Sequence, residues 1–261
     1  KILIAGESWT SHTIHIKGFD TFTTSVYEEG VKWLKEALEK ADHQVTFIPN
    51  HHASEKFPKT KEEISEYDVV ILSDIGSNTL LLPSATFSRS EKTPNRCKLI
   101  KEYVENGGGF CMIGGYMSFT GIDAKTRYGE TEVRDILPVD LLKYDDRVER
   151  PEGIVPKIVA KHEIFEGIEG EFPFFLGYNK TLSDNTKGEV IALIDEDPLS
   201  LILAWSIDFD YDGSVHRPEV IEVSEDGRLQ TSFCSFKMDK TAISINILDI
   251  FGNVEHKIYE V

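Results

Sequence analysis

Cysteine is scarce in this chain of 261 residues, which holds three: Cys97, Cys111 and Cys234. Cysteines so few and scattered supply neither a disulfide framework nor a thiolate metal site. Their scarcity favours a reducing compartment, with the cytoplasm as the default. Positive charge is also short. Lys and Arg number 28 against 45 Asp and Glu, a formal net charge of −17. A field of that sign repels phosphate backbones and anionic lipid, so neither nucleic acid nor a membrane is expected as a partner. No apolar run reaches the roughly 18 residues of a membrane span. Lys1 leads straight into Ile2-Leu3-Ile4-Ala5 and then into polar residues, so no secretory leader is expected. Internal repeats and low-complexity tracts are missing too, which argues against a solenoid.

What is present alternates strand and helix signals. Lys1 to Gly6 reads as a buried strand ending on glycine, followed by a polar and aromatic loop from Glu7 to Ser25 without a clean period. From Tyr27, apolar residues recur at Val31, Leu34, Leu38 and Ala41, the spacing of an amphipathic helix. Gln44 to Ile48 predicts a second strand, stopped by Pro49-Asn50, and a short acidic helix over Lys61 to Glu66 precedes a third, Tyr67 to Asp74. Thr93-Pro94 reads as an N-cap with proline at the first helical position. Leu99, Ile100, Tyr103 and Val104 form the buried face of that helix. Asn106-Gly107-Gly108-Gly109 ends it where left-handed backbone is needed. Phe110 to Ile113 predicts a fourth strand, followed by Gly114-Gly115-Tyr116.

Strands apolar on both faces and spaced by helices imply a mostly parallel sheet covered on both sides. The expected fold is α/β, doubly wound and flavodoxin-like, with ligands at the carboxyl ends of the strands. Beyond about residue 140 the pattern weakens. Tyr144 to Arg147 and Arg150 to Gly153 are turn-like, and strands return at Ile154-Val155, Glu189 to Ile194 and Leu199 to Trp205. After Asp208 only strands and turns remain: Val220 to Val223, Thr231 to Phe236, Ala242 to Leu248 and His256 to Val261. Two regions are expected, an α/β domain over 1–205 and a β-rich extension over 206–261.

Chemistry concentrates where strands end. The loop after the first strand carries Glu7, Ser8, His12, His15 and Lys17. These residues suit contact with a small polar molecule; His12 and His15 would share a metal if helical, and plain structural hydrogen bonding is the third option. Asp74, with Asn78 close behind, serves either as a base or hydroxyl ligand or as the cap of its own turn. Gly114 and Gly115 offer backbone N–H groups to an anion or carbonyl oxygen, or else allow close packing, with Tyr116 beside them. Lys125 and Arg127, with Tyr128 beside them, would lend the same cleft positive charge. Separately, Asp208, Asp210, Asp212, Gly213 and Glu219 match the spacing of the twelve-residue calcium loop. An acidic hairpin has the same composition; calcium is the metal considered for this loop, and no other cofactor is expected.

Several blocks together resemble a family of putative glutamine amidotransferases within the class I amidotransferase-like superfamily. They are Gly6 to Thr10, His15 to Asp20, Ser73 to Gly76 with Asn78-Thr79, Thr93 to Arg96, Gly114 to Tyr116 with Ser118-Phe119, and Tyr144 to Glu149. The resemblance runs from residue 1 to about residue 204. It implies a three-layer sandwich with a cleft at the strand ends, and no settled reaction. The superfamily's glutaminases set a cysteine on a tight strand-to-helix elbow, with a histidine and a glutamate from late in the domain. Here the elbow falls on Gly114 or Gly115, Cys111 sits two residues inside the strand where burial is expected, and Trp205 is followed by Ser206-Ile207-Asp208 rather than a His-x-Glu pair.

The leading expectation is therefore an amidotransferase-like protein that binds a small polar ligand without glutaminase chemistry, with a homo-oligomer possible. One alternative is a hydrolase or isomerase on a sugar-like or amide substrate, using Asp74 or His15 as acid–base. Another is a non-catalytic interaction protein that uses its β extension.

Overall fold

The apolar run after Lys1 forms strand β1, Ile2–Gly6, buried at every position. The computed structural model describes residues 1–168, 170, 172–183, 186–194, 202–223, 242–249 and 254–260. It divides into two compact units, Lys1–Leu193 and Ile194–Val261.

β1 continues into a hairpin rather than the expected irregular loop. β2, Ser8–Lys17, and β3, Asp20–Glu29, pair antiparallel from Ser8 opposite Glu29 to Lys17 opposite Asp20. Gly18, at φ 67°, supplies the left-handed residue of the turn. Except for Ser8 and His15, every residue of this hairpin is exposed. With no buried face there is no polar–apolar alternation to read, and that is why the hairpin went unseen in the sequence.

Helix α1, Lys32–Lys40, starts later than its periodicity predicted, because Tyr27 is held in β3 opposite Thr10. Next come β4, Val45–Pro49; α2, Asn50–Lys56; α3, Lys61–Ile64; β5, Val69–Ser73; α4, Ser77–Leu81; and α5, Ser84–Arg89. α6, Arg96–Glu105, is capped by Asn95 rather than by Thr93: the Asn95 side chain accepts from the Lys98 N–H at 2.9 Å. At its far end Gly107 takes φ 95°, and the N–H groups of Gly107 and Gly108 return to the carbonyls of Val104 and Tyr103. This is the left-handed stop that the glycine run predicted. β6, Gly109–Ile113, follows at once.

β4, β1, β5 and β6 lie in that order in one parallel sheet. Leu3, Ala5, Val70 and Leu72 face one core with Ala53, Ile64, Leu80 and Ile100 from α2, α3, α4 and α6. Ile2, Ile4 and Ile71 face the other way, against Val31 and the α1 residues Leu34 and Leu38. Each strand is apolar on both faces because both are covered. Arg96 is wholly buried, and its guanidinium donates to the carbonyls of Ser54 at 2.6 Å and Leu80 at 3.2 Å. These carbonyls belong to the last turns of α2 and α4, where helix dipoles favour a cation. Along β6, Phe110 and Met112 pack against the first core, whereas Cys111 is exposed. The expected burial of Cys111 is corrected on that account: among the described residues β6 is the edge of the sheet, and α1 packs over β1 and β5.

Beyond β6 the chain forms β7, Val139–Leu141; β8, Arg147–Ile154; β9, Lys157–Ile158; β10, Phe175–Asn179; β11, Thr181–Ser183; and β12, Ala192–Leu193. They make three antiparallel pairs, β7 with β11, β8 with β10 and β9 with β12. Glu149 stands opposite Gly177 and Ile154 opposite Phe175, so the turn-like Arg150 to Gly153 bulge out of register within β8.

The second unit holds one antiparallel sheet. Its strands are β13, Ile202–Asp208; β14, Val220–Val223; β15, Ala242–Asp249; and β16, Val254–Glu260, in the order β14-β13-β15-β16. The β-rich reading of this region holds, and β13 itself runs across residue 205. The strand expected at Thr231 to Phe236, with Cys234, lies outside the described residues. Among the described residues no helix is long and apolar enough to cross a membrane.

Candidate functional site

The carboxyl ends of β1, β4 and β5 are tied together by polar groups. Gly6, at φ 113°, lets the end of β1 press so closely on β5 that a Cβ would lie 1.8 Å from the Ser73 carbonyl oxygen. The Glu7 N–H then donates to that same oxygen at 2.7 Å, and the Ser73 hydroxyl donates to the Glu7 carboxylate. Asn50, just past β4, donates from Nδ2 to the carbonyls of Ser8 at 2.7 Å and Asp74 at 3.0 Å, while its N–H donates to Ser8 Oγ at 2.8 Å. Glu7 and Asp74 both take left-handed backbone, with φ 44° and 47°. Two non-glycine residues in that region at neighbouring strand ends mark a strained place.

The turn after β6 is pinned to the same spot. Asp74 Oδ1 accepts from the Met117 N–H at 2.6 Å, and the buried Ser118 hydroxyl donates to Ile113 O at 2.5 Å while accepting from the Asp74 N–H at 3.1 Å. Gly115 N–H donates to Asn179 Oδ1 at 2.8 Å, and Asn179 Nδ2 donates to Asp146 Oδ1 at 2.8 Å. Asp146 is buried and accepts further N–H bonds from Thr120 at 2.8 Å and Gly121 at 2.9 Å. Burial raises its pKa, opposed by these three donors. Its neighbour Asp145 is drawn well below the usual carboxylate range by the Arg147 guanidinium, which meets it at 2.8 and 3.0 Å. The Arg147 guanidinium also lies 5.2 Å from the centre of the exposed Tyr116 ring.

The family described as putative glutamine amidotransferase matches residues 1–211. The chain belongs to this family. Among solved structures it is similar to Cytoplasmic Protein STM3548 from Salmonella typhimurium, at 47% identity and a TM-score of 0.72, over 76% of this chain and 80% of that one. It is also similar to Cytoplasmic Protein STM1381 from Salmonella typhimurium LT2, at 45% identity and a TM-score of 0.71, with the same coverage. No functionally curated protein matches it.

In this amidotransferase-like chain the elbow expected after β6 is filled from outside. A Cβ at Gly115 would lie 2.8 Å from Asp74 Oδ1 and 2.9 Å from Asp74 Cβ, and one at Gly114 would lie 3.0 Å from Asn179 Oδ1. Neither glycine takes positive φ. Close packing, one of the two readings of this pair, is therefore what the geometry supplies, with the Gly115 N–H held by Asn179.

The predicted residues separate into two groups. Glu7, Ser8, Asp74, Gly114, Gly115 and Tyr116 gather at the strand ends, with Asn78 exposed four residues on in the first turn of α4. His12, His15 and Lys17 travel out along the hairpin. At about 3.4 Å per residue, His15 stands some 24 Å from Ser8 along β2. An interval of three along a strand puts His12 and His15 on opposite faces, so they do not pair on one side as a helix would allow. His12 instead meets Ser25 Oγ at 2.7 Å, and His15 meets Thr24 Oγ1 at 3.2 Å and stacks on Phe22. The positive charge expected from the next loop is also redistributed. Lys125 pairs with Asp123 at 2.6 Å, and Tyr128 is buried with its hydroxyl donating to Ile75 O. Arg127 lines a separate cavity of about 620 Å³ with Thr120, Arg134 and Lys143. Sequence reasoning missed Asn50, Ser73, Ser118, Asp146, Arg147 and Asn179 as site residues. Four of them lie inside the blocks that carried the resemblance, whereas Asn50 read only as a strand stop and Asn179 left no signal.

The acidic loop of the second unit is organised by its own backbone. Asp208, buried, accepts from the N–H groups of Asp210 at 2.9 Å and Arg217 at 2.7 Å. Asp212 accepts from the Ser214 N–H at 2.9 Å and pairs with the Arg217 guanidinium at 2.7 Å. Both carboxylates are held below the usual range by these donors. Among the described residues no three His, Cys, Asp or Glu side chains converge as a metal would require.

Proposed function

We propose that this amidotransferase-like chain binds a small polar ligand at the ends of its parallel strands and does not hydrolyse glutamine. The observation that carries this reading is the contact between Gly115 and Asp74. With a Cβ at position 115 only 2.8 Å from Asp74 Oδ1, the turn has no room for a nucleophilic side chain while Asp74 stays in place. The two described cysteines do not stand in for one. Cys97 is buried in α6, its thiol pushed up to about 12 by that burial, and Cys111 lies two residues short of the strand end.

For the ligand, we read the strand order β4-β1-β5-β6 as that of a doubly wound sheet, whose crevice opens where the order reverses, between β1 and β5. Glu7 and Asp74 stand there as acceptors beside Tyr116 as an exposed ring, and Asn50 and Asn179 brace the strand ends around them. That set suits a molecule rich in hydroxyl or amide donors. The relatives named above are cytoplasmic by name, and we assign the same compartment to this chain.

Calorimetric titration of a panel of sugars, polyols and primary amides tests the binding. Asp74→Asn should weaken the bound member at least about 10-fold, the cost of a charge-assisted hydrogen bond. Equal affinity in wild type and Asp74→Asn, or binding by none of the panel, would sink the site. Glutaminase activity that disappears in Cys111→Ser would sink the other half.

A second reading, a hydrolase or isomerase on the same ligand class, is favoured by the left-handed backbone of Glu7 and Asp74 together. Asp74 would be its acid–base group. Turnover of a bound panel member, lost in Asp74→Asn, separates catalysis from binding alone.

A further inference from the structure

The hairpin of β2 and β3 is ten residues long on each side, about 34 Å. A two-stranded ribbon alone in water is at best marginally stable, because neither face is covered and both edges are free. This one carries large apolar side chains outward on both faces. On one lie Ile14 and Ile16, 67% and 74% exposed, with Tyr27. On the other lie Trp9, Val26 and Phe22, and Phe19 stands fully exposed at the tip.

We propose that the hairpin is an association arm whose occupant is a second copy of this chain. Charge supports that choice. From Thr10 to Tyr27 the only charged residues at neutral pH are Lys17 and Asp20, which cancel, in a chain whose net charge is −17. Two copies that repel each other elsewhere meet least resistance along this neutral ribbon. A basic partner would gain more from the acidic surface of the rest of the chain. The edges, which pair with no other strand among the described residues, support it too. The same backbone N–H and C=O row on each copy pairs antiparallel about a twofold axis, so the contact closes on itself. The exposed threonines and β-branched residues of the arm suit strand pairing.

Sedimentation equilibrium of the full chain between about 1 and 100 µM tests this, with two variants. I14K/I16K loads one face and F22K the other. Both sites are exposed in the single chain, so far-UV circular dichroism and the melt of the isolated protomer should not change. Lysine lowers the net negative charge, so lost association cannot be blamed on general repulsion. The expected result is a wild type of twice the chain mass, with the dimer Kd raised about 100-fold in each variant. A wild type that stays at the mass of one chain at 100 µM overturns the proposal, and so does a dimer that both variants leave intact.

Discussion

Asn179 joins the buried Asp146 carboxylate to the turn after β6: its Nδ2 donates to Asp146 Oδ1 at 2.8 Å, and its Oδ1 accepts from the Gly115 N–H at 2.8 Å. One side-chain amide thus satisfies a buried anion and fixes a backbone group at the candidate site. Removing it leaves both short of a partner.

Asn179→Ala should therefore destabilise the first unit by about 3 kcal/mol, the range for stripping a hydrogen bond from a buried charged group. Urea denaturation reads this as a shift in midpoint at constant slope. A loss under about 0.5 kcal/mol would mean that water or a neighbour replaces the amide.

The glycines at the strand ends give a second expectation. Gly6→Ala sets a Cβ 1.8 Å from the Ser73 carbonyl oxygen at a φ of 113°. Both terms oppose it, so the loss should exceed about 3 kcal/mol. Gly115→Cys, at an ordinary φ, sets its Cβ 2.8 Å from Asp74 Oδ1 and 2.9 Å from Asp74 Cβ, and should cost about 2 kcal/mol. Ammonia release from glutamine by that variant would show that Asp74 yields the space to a working nucleophile.

Stability should also depend on Asp145 below about pH 4. Arg147 holds its folded pKa below the unfolded value of about 3.9. Its contribution is thus complete above that value and is lost as pH falls through the folded one. Asp146 has the opposite sign, because its raised folded pKa makes stability fall as pH rises above about 3.9. In acid titrations of chemical stability, Asp145→Asn should flatten the decline below pH 4, and only that part. A third of the Asp145 side chain is in solvent, so the effect is modest.

The acidic loop should ignore calcium. Asp208 and Asp212 already accept from the N–H groups of their own turn, and Asp212 pairs with Arg217. The melting temperature should be unchanged by calcium up to millimolar concentration against chelator. A rise with calcium that vanishes in Asp212→Asn would restore the metal loop, since specific binding stabilises by mass action.

The sequence by itself determined the parallel sheet, the glycine stop after α6 and the β character of the C-terminal region. These rest on local rules: strands covered on both faces must be apolar throughout, and left-handed backbone selects glycine. The tertiary structure alone decided that Glu7 and His15, eight residues apart in sequence, part company at Ser8. An exposed hairpin has no buried face and so imposes no pattern that could be read beforehand. It alone also brought Asn50, Asn179 and Asp146 to the strand ends, because a hydrogen bond between residues 64 apart, such as that of Gly115 with Asn179, leaves no period in either segment. Cys111 shows the same division: its place in a strand was legible, but whether a helix covers it depends on where the neighbouring elements pack.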